Sequence, residues 1–510
     1  MAMARDLTRF ATSVCLLFSV SCQPALDDLT GKAVEVMLGT EVVATVDERF
    51  VSFAVDTSQA VGGNFWAPNG FTEPVPPYDF SRKQLRTLAG ALSPAILRIG
   101  GSEADMVFYD LSDTPRADAP SPYKFVFTRK MADDICDFAS ELNLDILFTL
   151  NAGPGPRDEA GKWTDGQARP LIQYMQSRDC PVIVWELGNE INGFQAIHGT
   201  DFRVTGEQYA EDMAVARRMV DDISPNIKLA GPSSAFWPFW GELAPVYPSF
   251  MAAGADSLDL ITWHYYPQQS VRCPVQSQPG NPWTLLDPAN LDEIQVWADE
   301  VESLRDDHAP DLDVWLGETG HAQCGGIQDL SDRYVTGFWW LDQLGLMARR
   351  GQPVVIRQTL SGGDYQLVDE ATLSPRPDYW GSLLWRRLMG TRVLNASTDE
   401  TLVRVYAHCA RDVPGGLALA VINLADTALA LDFGNFGKGE RIRYALQAEA
   451  LDSQQITLNG RVLDLDEGSL PPLEGVSAQT RDADASRAWF PGLSYGFFLL
   501  PQAGIEACGG

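Results

Sequence analysis

Val182–Glu190 reads VIVWELGNE, and Asp313–Thr319 reads DVWLGET. Each is a short apolar run that closes on a glycine and then, within two residues, a glutamate. A parallel strand buried on both faces has this texture: continuous Val, Ile, Leu and Trp, without polar alternation. A carboxylate at the C-terminal end of such a strand lies on the catalytic face of a (β/α)8 barrel. Glu190 and Glu318 would then face each other across one pocket. Two carboxylates so placed are the machinery of glycoside hydrolysis, with Glu190 as acid/base and Glu318 as nucleophile.

Further apolar runs complete the count around this pair. Phe50–Asp56, Ile96–Gly101 and Asp145–Asn151 are expected as the first three barrel strands, and Val182–Glu190 as the fourth. Ile227–Gly231, Leu258–Tyr266, Asp313–Thr319 and Val354–Leu360 follow as strands five to eight. Helical spacing recurs between them, at Arg82–Leu92, Lys130–Leu142, Leu171–Ser177, Gly206–Ile223, Leu291–Asp306 and Ser331–Arg350. After about residue 390 the texture changes to short strands separated by turn residues: Val393–Tyr406, Leu417–Asn423, Ile442–Ala448, Gln455–Val462 and Tyr495–Leu500. The expected fold is an α/β (β/α)8 TIM barrel with an appended C-terminal antiparallel β-sandwich. Its expected divisions are a signal peptide over 1–22, strands over 23–48 that join the sandwich, a barrel over 49–390 and a sandwich over 391–510.

The chain has 510 residues and a formal net charge of −30. That charge excludes a general nucleic-acid binder. At the N-terminus, Arg5 and Arg9 precede an apolar run, Phe10–Val20, that is too short to span a bilayer. The protein is therefore expected to be exported: secreted, periplasmic or on the cell surface. Ser19-Val20-Ser21-Cys22 partly resembles a lipoprotein cleavage site, which leaves a lipid anchor at Cys22 and plain secretion both open. Beyond the signal region six cysteines remain, Cys136, Cys180, Cys273, Cys324, Cys409 and Cys508. An even number in an exported chain points to disulfides. None stands in a CxxC pair, so no zinc site is expected. No metal or organic cofactor is implied, because two carboxylates and water suffice for the chemistry.

Near the pair, Asn189 has an amide able to hold a sugar 2-hydroxyl. His264 and Tyr266, closing the sixth strand, are placed to orient Glu318. Glu186 is a second acid in the fourth strand and is expected to be the buried partner of an arginine such as Arg98. The run Ala235–Trp240, AFWPFW, is either a sugar-stacking wall or an apolar hinge. Arg157, Lys162 and Arg272 read either as contacts for a uronate or sulfate or as ordinary loop charges.

Several stretches carry a resemblance to a known family: LSPAILRIGGSEAD, VWELGNEINGF, TWHYY, VWLGET, LSDRYVTGFWWLDQLGLMARRG, DYQLVD, PDYWGSLLWRRLMGTRVL and VRVYAHC. The chain resembles the heparanases of glycoside hydrolase family 79 over about Phe50 to Cys508. The later stretches weigh most, because no catalytic need forces them to match. A barrel hydrolase of another family, such as an arabinofuranosidase, would share the GNE triplet but not these stretches.

The resemblance implies a retaining β-glucuronidase with Glu190 as proton donor and Glu318 as nucleophile. It implies substrate contacts at Asp56, Ser102, Asn151, Asn189, His264, Tyr266, Gly325, Gly363 and Tyr365. For Asp56 and Asn151 a turn-forming role is the rival reading, and for Tyr365 simple packing. It also implies a Cys409–Cys508 disulfide; Cys136–Cys180 and Cys273–Cys324 are expected as well, the last stapling two loops over the pocket. Ser102 stands where the family has threonine, and Cys324 where glycine is expected. Asp110–Tyr123 is too short to match the excised linker of the animal proenzymes, so a monomeric single-chain enzyme is expected. The implied substrate is a glucuronic-acid-containing polysaccharide, a glycosaminoglycan such as heparan sulfate, cut in mid-chain. An exo-acting β-glucuronidase and a non-catalytic binding protein are the alternatives. The basic clusters suited to a polyanion are absent, and Lys124–Lys130, with three positive residues, comes nearest.

Overall fold

The computed structural model describes residues 33–63, 76–478 and 486–509. The signal segment, with the reading of Cys22, lies outside them. Eight parallel strands close into a barrel. In chain order they are Val51–Asp56, Ala95–Gly100, Leu144–Leu150, Val182–Leu187, Lys228–Phe236, Leu260–Tyr265, Asp313–Thr319 and Val355–Arg357. Helices connect them on the outside, which is the (β/α)8 arrangement.

Side chains pointing into the barrel repeat every second residue, as a pleated strand requires. Ala54, Ile96, Leu147, Val184, Ala230, Leu260, Trp315 and Ile356 form an apolar plug at its base. Two residues further along, Arg98, Thr149, Glu186 and Thr262 form a buried polar layer. Two further again, Gly100, Asn151, Gly188 and His264 reach the top. The barrel is thus a packed core that grades from apolar base to polar mouth, and the mouth is where chemistry is placed.

Three strand ends differ from expectation. The fourth strand stops at Leu187, because Gly188 and Glu190 take left-handed backbone angles, φ 76° and 49°. The fifth runs on to Phe236, past its expected end at Gly231 and through Pro232; a register shift between Pro232 and Ser234 absorbs it. The eighth leaves the ladder after Arg357. Among the described residues four helices escape the sequence pattern: the single turns Thr57–Val61 and Phe194–His198, and the longer Tyr247–Gly254 and Pro377–Leu388. The last is buried nearly all round, so it shows no amphipathic stripe.

The C-terminal region is a sheet of short strands, mostly antiparallel, to which the early strand Ala33–Thr45 belongs. That strand pairs antiparallel with Met389–Thr398 and parallel with Leu429–Asp432. The single run expected over Val393–Tyr406 is a hairpin of two strands, Met389–Thr398 and Val403–Ala410. Gln455–Val462 likewise splits into two short strands about Asn459-Gly460, a favoured hairpin turn. Phe433 and Phe490 both pack on Phe498, centroids 5.2 and 5.7 Å away. The sheet therefore curls over its own apolar face.

The helix Thr336–Arg350 is buried almost throughout, between barrel and sheet. Two of its glycines, Gly337 and Gly345, admit Tyr495 and Tyr406; a Cβ at either would lie about 2.1–2.2 Å from those rings. Glycine in a helix interior costs about 1 kcal/mol relative to alanine. Here it allows close packing of sheet on helix.

Three disulfides are present: Cys136–Cys180, Cys273–Cys324 and Cys409–Cys508. The last closes the longest loop, a separation of 99 residues. Cys409→Ala with Cys508→Ala is expected to cost about 2–5 kcal/mol of unfolding free energy, read by denaturant titration. An unchanged midpoint would mean that the sheet edge holds the terminus without the bond.

Candidate active site

Glu190 and Glu318 meet at the barrel mouth, both nearly buried. A carboxylate oxygen of each and a ring nitrogen of His264 all lie within 4.8 Å of one another. Local backbone chemistry places them. The left-handed turn at Gly188 and Glu190 lifts the Glu190 side chain over the strand end, and its N–H donates to the Ser233 carbonyl at 3.0 Å. Glu318 lies in the seventh strand next to a register irregularity between Leu316 and Glu318.

Arg98 organises the floor. It is fully buried, and its Nη1 donates to Glu318 Oε2 at 2.6 Å. Its Nη2 donates to Glu186 Oε2 at 2.8 Å and to Asn189 Oδ1 at 2.9 Å. Burial opposes charge on both sides, but the attraction wins: the Arg98 pKa is raised and that of Glu186 is lowered. Glu186 is thus the structural partner of Arg98, and Thr149 donates to it as well.

Tyr266 donates its phenolic hydroxyl to the other Glu318 oxygen, at 2.7 Å. Burial and then the Glu318 charge push the Tyr266 pKa well up, which keeps it a donor. Glu318 therefore accepts from two fixed donors, one on each oxygen. Glu190 is different. Burial, and then the Glu318 charge, raise its pKa, against the opposing pull of a bond to His264. His264 Nδ1 lies 3.2 Å from Glu190 Oε1, and its Nε2 lies 2.8 Å from Ser233 Oγ. Burial lowers the His264 pKa, which favours the neutral ring. With Arg98 reaching the Ser233 oxygen at 3.5 Å, the Ser233 proton is free for Nε2. The Nδ1 proton is then left for Glu190. Of the two carboxyls, Glu190 is thus the one pushed toward its protonated form.

A cavity of about 630 Å³ opens above the pair. Asp56, Ser102, Asn189, Tyr266 and Tyr365 line it with the two glutamates. Asp56 caps the short helix after the first strand by accepting from Ser58 N–H, and Gln358 donates to its second oxygen at 2.9 Å. Burial raises its pKa to about 6. Turn-forming and pocket-lining roles therefore coincide at Asp56. Tyr365 stacks on Tyr266 with centroids 6.4 Å apart.

Four expected contacts do not line the cavity: Asn151, His264, Gly325 and Gly363, with His264 wholly buried. Asn151 spends its amide inside its own loop: Nδ2 donates to the Val107 carbonyl and Oδ1 accepts from Gly153 N–H. Gly325 and Gly363 build the adjoining loop, at φ 83° and 66°, and a Cβ on Gly363 would lie 3.1 Å from the Gly325 carbonyl. Of the loop cations, Arg157 is a buried partner of Asp212, Lys162 pairs with Glu211 at the surface, and Arg272 pairs with Asp364.

Three features of the site, Gln323, Gln358 and Glu103, escape sequence reading. Gln323 approaches Glu190 Oε2 at 3.5 Å, and Gln358 holds Asp56. Lys124 lines the rim, and Glu103 lies buried in the wall. Burial and the Asp56 charge push the Glu103 pKa well up. The one signal available for Glu103 was its place directly after Gly101-Ser102. Glu190, His264 and Glu318 also have the spacing of a metal donor set. Arg98 and Tyr266, however, already engage both Glu318 oxygens.

Comparison with known proteins places the chain in a family. The family described as "Glycosyl hydrolase family 79, N-terminal domain" matches residues 32–345. A heparanase from Bos taurus is 31% identical, covering 91% of this chain and 90% of the relative. A hyaluronoglucuronidase from Hirudo nipponia is 30% identical, covering 92% of this chain and 97% of the relative. A solved 4-O-α-L-rhamnosyl-β-D-glucuronidase from Fusarium oxysporum 12S superposes with TM-score 0.65 at 17% identity, covering 92% of this chain and 100% of that one, a likeness of fold. The chain belongs to glycosyl hydrolase family 79 and is a glycoside hydrolase.

Proposed function

We propose that the protein is an exported, retaining endo-β-glucuronidase acting on a glucuronate-containing glycosaminoglycan. Glu190 is the acid/base and Glu318 the nucleophile. The observation that carries this reading is the spacing of the pair. Retaining enzymes hold their carboxyls about 5–5.5 Å apart, whereas inverting ones need about 6.5–9.5 Å for an intervening water. One oxygen of each carboxylate lies within 4.8 Å of the other, which supports the retaining arrangement.

In the first step Glu190 gives its proton to the glycosidic oxygen, and the aglycone leaves. The Glu318 carboxylate bonds to the anomeric carbon as that bond breaks, forming a glycosyl ester. In the second step Glu190, now ionised, takes a proton from water. That water attacks the anomeric carbon, and the ester breaks to restore Glu318. The Asn189 amide, fixed through Arg98, faces the cavity beside the pair and is suited to a sugar hydroxyl.

The relatives named above act on heparan-type and hyaluronan-type chains by their names. The cavity here is lined by Asp56, Glu103, Glu190 and Glu318 against a single lysine, Lys124. With a net charge of −30, this favours a weakly sulfated chain over a heavily sulfated one. Three disulfides support folding in an oxidising compartment.

Glu190→Gln tests the assignment. Turnover of a polysaccharide, whose leaving group needs a proton, should fall by about 10²–10⁴-fold. Turnover of an aryl β-glucuronide with a good leaving group should fall much less. The wild-type pH profile should be a bell with an acidic optimum, its alkaline limb set by loss of the Glu190 proton, and that limb should vanish in Glu190→Gln. A wild-type rate still rising above about pH 8 would remove Glu190 from the role of acid. Shortened chains in the wild-type digest support endo action. Release of terminal glucuronate alone would make it an exo-enzyme.

A further inference from the structure

Three large aromatic side chains are exposed among the described residues: Phe239 at 57%, Trp240 at 54% and Trp283 at 67%. All three lie on two neighbouring loops at the barrel mouth. Phe239 and Trp240 follow the fifth strand, and Trp283 follows the sixth; those strands pair directly. Exposed Leu243 and Val271 lie on the same two loops. An apolar surface concentrated in this way beside a polar cavity marks a binding surface.

The platform is built rigidly. Phe236 and Trp237 are buried, so the AFWPFW run is wall at its start and exposed at its end. Backbone hydrogen bonds between Trp237 and Gly241 close a tight hairpin around Phe239 and Trp240. Phe239 N–H donates to Glu293 at 3.0 Å, in the helix Pro288–His308. Trp297 of the same helix underlies Gly241, where a Cβ would meet the indole at 2.6 Å. Trp283 lies in the 3₁₀ turn Pro282–Leu286, just before this helix. Rings whose backbone is so fixed lose little freedom when a ligand settles on them.

The hairpin continues into the cavity, because Trp237 and Leu243 at its two ends line it with Glu190, Asn192 and Gln195. This is the side of the proton donor. An acid that protonates a leaving oxygen faces the leaving group, so the sugars beyond the cut run toward the hairpin. We infer that Phe239, Trp240 and Trp283 form an aromatic subsite that takes pyranose rings of the polysaccharide on the leaving-group side of the scissile bond. The C–H face of a pyranose is apolar and packs flat on an aromatic ring, while its hydroxyls and carboxylate stay in water. Such a surface grips a polyanion without a basic cleft, which suits a chain of net charge −30.

This inference rests on the endo-glucuronidase reading and explains how mid-chain cutting is favoured. The test compares wild type with the Phe239→Ala/Trp240→Ala double variant. Three probes are used: an aryl β-glucuronide, hyaluronan oligosaccharides from tetrasaccharide to dodecasaccharide, and heparan sulfate. Oligosaccharide binding is also titrated by tryptophan fluorescence, which reads the subsite whether or not turnover occurs. In wild type, kcat/KM should rise with chain length. In the double variant the ratio of chain to aryl-glucuronide kcat/KM should fall about tenfold, carried by KM, with binding weakened equally. A ratio and affinity within about twofold of wild type would overturn the subsite. So would light scattering that shows a wild-type dimer and a monomeric variant, since the patch would then be an interface between copies. If wild type turns over none of the probes, the glucuronidase reading fails, and the binding titration alone decides the subsite.

Discussion

Glu318→Ala should leave turnover lower by on the order of 10⁴-fold or more on every β-glucuronide, whatever the leaving group. This is the first of the two largest effects expected. The nucleophile forms a bond in the rate-limiting complex, and no neighbour can take its place. Asp56 and Glu103 are the other carboxyls in the cavity, and burial raises both pKa values, which makes them poor anions. Removing the side chain also opens room on the face where Glu318 stood. Azide can enter there and attack the anomeric carbon as Glu190 protonates the departing oxygen. The product should be an α-glucuronosyl azide, inverted relative to the substrate, and its rate should exceed that of residual hydrolysis. A β-azide from this variant would mean that another carboxylate still forms the covalent intermediate. Glu190→Ala reverses the stereochemistry: Glu318 forms the ester, azide displaces it, and the β-azide results. The two variants thus assign the roles by the hand of the product, independently of how well each folds.

The pair was legible because a buried strand tolerates a carboxylate only where pairing or chemistry holds it. VIVWELGNE carries two acids, and the structure gives them different partners: Arg98 for Glu186, the open cavity for Glu190. Arg98 was legible by the same logic, as a lone cation in ILRIGG, but only as the partner of Glu186. Its second grip, on Glu318, depends on barrel closure, which brings the second and seventh strands within reach and leaves no trace in local sequence. The fifth strand runs past its expected end at Gly231, through Pro232, which lacks an N–H, and the register shift that accommodates it is a tertiary feature. The helix Pro377–Leu388 was hidden because nearly all of it is buried, all but Arg386 and Arg387, which leaves no amphipathic stripe. Asn151 closes its strand as Glu190 closes another, yet its amide is consumed by the loop it terminates. Gly325 and Gly363 entered through family resemblance, and their left-handed backbone angles now give them a physical role in the loop beside the cavity.

The second large effect is expected at Arg98, and it falls on stability and on catalysis together. Arg98→Met keeps most of the side-chain volume but removes the charge shared by Glu186 and Glu318. Breaking a buried pair from one side costs about 3–5 kcal/mol, because the remaining charge is left without compensation. Glu186 bears most of that, since it is wholly buried. Glu318 keeps Tyr266 and loses the Arg98 donor that positions its other oxygen, so kcat/KM should fall. Asn189 loses one of the two donors to its amide oxygen and keeps the Gly101 N–H. Adding Glu186→Met separates the two consequences. Replacing both members of a buried pair by apolar side chains is often neutral, so the double variant should regain more than half of the lost stability. Its activity should stay low, because nothing has been returned to Glu318. Denaturant unfolding and kcat/KM on the same four proteins read the cycle. If the two stability losses simply add, the Arg98–Glu186 pair is not the coupled element beneath the site. If activity recovers with stability, Arg98 acts on catalysis through folding alone.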